Sequence, residues 1–77
     1  MIKELDTIVL TEDLAEHRLK RGDVGTVVLL HPAGGYEVEF VSLAGETLAV
    51  VSLGSHQIRS VGPCEIAQAR PVEATAR

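Results

Sequence analysis

One cysteine, two aromatic side chains and no tryptophan are all that this 77-residue chain has of the residues that most often staple a small fold or stack on a ligand. Cys64 has no second cysteine to pair with, so no disulfide can brace the fold, and an unpaired thiol suits a reducing, cytoplasmic setting. With Tyr36 and Phe40 as its only aromatics, the chain lacks the stacking platform of single-strand nucleic-acid binders and the aromatic groove that reads proline-rich peptides. No apolar run approaches the roughly 20 residues of a membrane helix. Acids within the first six residues interrupt the apolar stretch that a secretory signal would need, so neither membrane nor export is expected. Bases are the minority charge, 7 against 11 acids for a net −4, whereas general affinity for nucleic acid needs a positive excess.

The residue types that build reaction centres are scattered. His17, His31 and His56 lie far apart with no i, i+4 partner and no C-x-x-C companion, so no metal site is expected. Ser52, Ser55 and Ser60 lack the strand-turn-helix setting of an activated serine. No glycine loop opens a helix, which excludes a dinucleotide or phosphate cradle. The expectation is a protein with no catalytic residues and no cofactor.

What the chain does have is aliphatic bulk, with 45% of its residues hydrophobic, arranged with period two and broken by glycine turns. Residues 5–11 read as a first strand, with Ile8 and Leu10 on one face and Thr7, Val9 and Thr11 on the other. Residues 12–23 have no period. They read as a long irregular loop with one helical turn near Asp13–His17, pinned to the core by Leu14 and Leu19. Gly22, Asp23 and Gly25 form a tight turn that feeds a strand over 24–30, whose nearly continuous apolar residues predict that both of its faces are covered. His31-Pro32-Ala33-Gly34-Gly35 is a turn in which Pro32 removes a ladder donor and Gly34 and Gly35 permit positive φ. The strand 36–41 alternates cleanly, with Tyr36, Val38 and Phe40 inward and Glu37 and Glu39 facing water. A second hairpin turn at 43–46, a strand over 47–53, a short 3₁₀ turn at 54–57 capped by Ser55, and a brief strand over 58–61 complete the pattern.

Five short strands, with a long first loop and a 3₁₀ turn before the last, predict an all-β fold, a small five-stranded SH3-like barrel. Closing a bent sheet on itself makes one core from few residues. The barrel domain spans 1–62. Pro63 ends it, and 63–77 reads as a C-terminal tail, with helix or an added strand open for 64–70 and disorder expected from Pro71 on.

Three stretches together, Asp6–Leu14, Leu19-Lys20-Arg21-Gly22-Asp23-Val24-Gly25-Thr26-Val27-Val28 and Tyr36-Glu37-Val38-Glu39-Phe40, resemble a family of small bacterial and cyanobacterial proteins known as a domain of unknown function and held to be SH3-like. The resemblance covers roughly residues 5–61 and implies the fold but no catalytic residue. The family pattern often places glycine and proline in the first loop, near where this chain has Ala15 and Arg18. Gly22–Val27 is also similar to the glycine-turn-strand core of the KOW motif, which implies binding to RNA or to a protein.

The leading functional expectation is a non-enzymatic accessory module that binds a protein partner or itself, as a homo-oligomer. The apolar content exceeds what one small barrel can hide, and such a surplus marks an interface. Glu37, Glu39 and Glu46 are the candidate contacts for a basic partner, which the module would neutralise. The alternative is a KOW-like RNA- or ribosome-associated module using Arg18, Lys20, Arg21 and Arg59. A third reading places a small-molecule or redox role at Cys64 or His17.

Overall fold

The computed structural model describes residues 1–72. Five strands, β1 (Thr7–Leu10), β2 (Val24–Leu30), β3 (Tyr36–Val41), β4 (Thr47–Leu53) and β5 (Ile58–Ser60), form one antiparallel sheet in the order β4-β3-β2-β1-β5. Two 3₁₀ turns, Ala15–His17 and Ser55–Gln57, interrupt the connections, and there is no α-helix among the described residues. The all-β fold with a 3₁₀ turn before the last strand is as the sequence predicts.

The sheet has to curl. Laid flat, β4 and β5 would stand at opposite edges, four strand spacings or about 19 Å apart. The four residues between Leu53 and Ile58 include a 3₁₀ turn, which advances only about 2 Å per residue, and cannot span that width. Curling brings Leu53 and Ile58 into one apolar cluster with Ile8, Leu10, Leu19, Val27, Val38, Phe40 and Val51. Thr11, just past β1, holds the second 3₁₀ turn: its N–H donates to the Gln57 carbonyl at 2.9 Å and its hydroxyl donates to the His56 carbonyl at 2.9 Å.

Local chemistry sets the corners. Gly22, Gly34, Gly35 and Gly45 all take positive φ at the turns where the sequence has glycine. Asp23 closes its turn twice over, its carboxylate accepting from the Lys20 N–H at 2.8 Å while its own N–H donates to the Lys20 carbonyl at 2.9 Å. Gly25 answers to space instead. A Cβ there would stand 2.6 Å from Val38 Cγ1 and 2.8 Å from Phe40 Cε2, so its missing side chain lets β3 pack against β2. Leu14 and Leu19 bridge across the first loop, and Leu19 is buried, as predicted. Arg18 holds a left-handed conformation, φ 59°, where it ends the first 3₁₀ turn.

Several expectations need correction. Strand β2 does not have both faces covered: Val24, Val28, Leu29 and Leu30 are 40–48% exposed. The single sheet covers only its concave side, and a bulge between Val27 and Leu29 sets Leu29 opposite Glu37, on the outward side with Val28. The first strand is shorter than 5–11, because Leu5 takes φ 72°, and the last ends at Ser60. Val9 is buried although it alternates with Ile8 and Leu10. Ser55 is not the cap of its turn. Gly54 precedes the turn, and its N–H donates to the Gln57 side chain at 2.8 Å. Residues 64–70 form neither helix nor strand, and the disorder expected from Pro71 on falls largely on 73–77, outside the described residues.

Candidate functional site

The outward face of β3 and β4 carries the acids singled out from the sequence. Alternation puts Glu37, Glu39 and Val41 on the convex side of β3, and the register sets Ser52 opposite Glu37 and Val50 opposite Glu39. Hydrogen-bonding neighbours partly shield both carboxylates rather than leaving them open to water. Glu37 accepts from the Ser52 hydroxyl and from His31 Nε2 at 2.8 Å; Glu39 accepts from the Thr47 hydroxyl at 2.7 Å. The Ser52 hydrogen bond, then the His31 hydrogen bond, hold the Glu37 carboxyl below the usual glutamate range against a smaller opposing effect of burial. Glu46 sits exposed at the β3–β4 turn, where its N–H donates to the Ser42 hydroxyl at 3.2 Å.

Serine, glutamate and histidine here do not make a reaction centre. Glu37 stands between the other two, accepting from each, whereas nucleophilic catalysis needs the histidine to take the serine proton and the carboxylate to lie behind the histidine. Among the described residues, no group of three or more His, Cys, Asp or Glu side chains gathers to hold a metal ion. His17 lies 3.6 Å from Glu16, and Cys64 is exposed.

Of the bases proposed for nucleic acid, Arg59 is held by its side chain in a local ion pair, while acids stand among the other three through contacts with their backbone. Arg59 donates to both Glu65 carboxylate oxygens at 2.9 Å, which holds Glu65 below its ordinary pKa and raises that of Arg59. In the first loop, the Arg21 N–H donates to Asp13 and the Lys20 N–H to Asp23, so acids interleave Arg18, Lys20 and Arg21. The geometry gives the nucleic-acid reading no support.

The most distinctive feature is an edge. Among the described residues strand β4 pairs only with β3, so its other side presents backbone N–H and C=O groups that no described strand takes, along Thr47-Leu48-Ala49-Val50-Val51-Ser52-Leu53. Such edges are ordinarily blunted by lysine, proline, a bulge or brevity. Strand β4 carries one such device, a bulge at Leu48 between the Phe40–Ala49 and Val41–Thr47 pairs, but it has no charge and no proline in seven residues, and Val50, beyond the bulge, is 53% exposed. The opposite edge, β5, has only three residues, one of them Arg59. The sequence predicts a strand over 47–53 but not that it is an edge, because strand order is invisible in a run of hydrophobic residues.

The tail returns to the sheet. Arg70 Nε donates to Asp23 Oδ1 at 2.8 Å and Nη2 to Oδ2 at 2.6 Å, with a further bond from Nη2 to the Arg18 carbonyl at 3.2 Å. Residues 67–70 and Val72 thereby line a groove of about 520 Å3 with Leu19, Val24, Phe40, Val41, Leu43 and Leu48. Nothing in the spacing of the sequence could have paired residues 47 positions apart.

Among the described residues no helix is long and apolar enough to cross a membrane. In comparison with known proteins, a family model described as a domain of unknown function, DUF4926, matches residues 4–60 of the 77. No curated protein and no solved structure matches the chain.

Proposed function

The chain belongs to the DUF4926 family of domains of unknown function, and we propose that it acts as a non-enzymatic protein-interaction module docking its partner on the β3–β4 side of the sheet. The observation that carries this reading is the seven-residue, uncharged edge of β4, which no described strand takes. An edge of this kind left bare is a template for pairing with another chain, and a protein that keeps one has a use for it or aggregates. The exposed apolar residues of β2 and Val50 add surface of the kind that interfaces cover. Glu37 and Glu39 beside that edge set the sign of the partner's charge, which is positive.

The test is capture of the tagged protein's partner from lysate of its source, with and without nuclease, beside two variants. Wild type retains a stoichiometric protein after nuclease treatment. Val50→Lys, an exposed change that leaves the fold intact, loses it because lysine blunts edge pairing. Glu37→Lys combined with Glu39→Lys slows association. Recovery only of material that nuclease removes, or equal capture by Val50→Lys, overturns the reading.

A further inference from the structure

The open side of β4 faces a groove of about 460 Å3 rather than bulk solvent. One wall is Val50, Val51, Ser52 and Leu53; the other is the first loop, Glu12 to His17, with Gln57 between them. Four residues of strand make about 13 Å of pairing wall. The backbone of that wall can be satisfied only by another strand or by water, since β3 takes one side of it and no other strand of the sheet takes the second.

Charge decides which strand fits. The loop wall includes the acids Glu12, Asp13 and Glu16, and no lysine or arginine among the described residues lines this groove. Glu12 accepts from the neutral Gln57 amide at 3.0 Å, Asp13 accepts from the Arg21 backbone N–H at 2.8 Å, and Glu16 lies 3.6 Å from His17. Arg70 lies close enough to feel the Asp13 charge, so Glu12 and Glu16 are the stronger attractors. On the convex side, Glu37 and Glu39 stand one strand in from the same edge. The edge is neutral and both its flanks are acidic. A second copy pairing through its own β4 would lay an uncharged strand along this edge and add another net charge of −4, so that strand itself brings no cation to the flanks.

We propose that the groove between β4 and the first loop takes an extended, lysine- or arginine-bearing segment of a partner protein, added to the sheet as a sixth strand along Val50–Leu53. This rests on the interaction-module reading and specifies its partner. Main-chain hydrogen bonds supply affinity; cationic side chains meeting Glu12 and Glu16 on one side, and Glu37 and Glu39 on the other, supply selectivity.

The probe is a capped peptide of four Lys-Val repeats, with a Glu-Val peptide of equal length as control, added to isotopically labelled full-length protein. The Lys-Val peptide shifts the amide resonances of residues 12–17 and 50–53 and slows hydrogen exchange along β4, while the Glu-Val peptide does neither. Glu12→Gln combined with Glu16→Gln, both exposed and harmless to the fold, weakens that binding on the order of tenfold and flattens its salt dependence. Three results overturn the proposal: protection of β4 by both peptides alike, shifts confined to the β3 face with β4 amides unprotected, or concentration-dependent dimerisation that protects β4 without peptide. Capture separates the two readings. A protein partner retained equally by wild type and by the Glu12, Glu16 double variant overturns the groove and leaves the module standing. Failure to retain any protein overturns the module itself.

Discussion

Arg70 grips Asp23 with two hydrogen bonds, 2.8 and 2.6 Å, and so fastens the tail to the turn that launches β2. Asp23 thus serves two structures at once, closing its own loop through the Lys20 N–H and anchoring a segment 47 residues away. Its side chain is 16% exposed and that of Arg70 32%, shielded enough for the pair to matter and wet enough to temper its strength.

Replacing Arg70 with glutamine therefore releases the tail. The expected loss is about 1 kcal/mol of stability, or about 4–8 °C in Tm for a domain of this size. The tail backbone at 67–72 becomes more mobile, read as lower heteronuclear NOEs, while the core amides of Val27, Val38 and Phe40 keep their order of exchange protection. Unchanged NOEs across 67–72 would mean that the tail is held by its other contacts.

Acid should weaken the protein through the same pair. Burial by itself would push the Asp23 carboxyl up, but the Arg70 and Lys20 hydrogen bonds and the two positive charges outweigh it and hold the carboxyl below the ordinary aspartate value. A carboxyl depressed in the folded state contributes stability above its unfolded pKa and loses it as pH falls through the folded one. Glu37 and Glu65 are shifted in the same direction. Urea midpoints should be level from about pH 7 to 5 and fall below about pH 4. The gap between wild type and Arg70→Gln should be widest above about pH 5 and close in acid. A gap that is constant with pH would show that Asp23 is not its source.

The turn glycine Gly22 and the strand glycine Gly25, which the sequence places in one turn, should fail differently. Gly25→Ala drives a methyl group into Val38 and Phe40, the latter 2% exposed, and costs about 2–3 kcal/mol by overpacking. Gly22→Ala meets no atom within 4 Å and costs about 1 kcal/mol through its φ of 94° alone. Thermal unfolding of both variants ranks them, and the reverse order would contradict the packing described for β2 and β3.

Cys64 is exposed, in a segment outside the sheet. Alkylation in the native state should be complete and should leave Tm unchanged, and Cys64→Ala should retain the captured partner. Loss of the partner on alkylation would revive the redox or small-molecule reading.

The local elements were legible in the residues. The alternation of Tyr36, Val38 and Phe40 against Glu37 and Glu39 fixes the faces of β3, and the glycines at 22, 34, 35 and 45 mark corners because positive φ is cheap only there. Those are short-range effects, carried by neighbours along the chain. The clearance that Gly25 gives Phe40, the bare edge of β4, the exposed face of β2 and the pairing of Asp23 with Arg70 were settled only by tertiary structure. An apolar run such as Leu48–Val51 records that a strand forms. Whether it lies mid-sheet or at an edge depends on which strands curl against it, and that is decided by the long-range burial of Ile8, Leu10, Leu53 and Ile58 in one core.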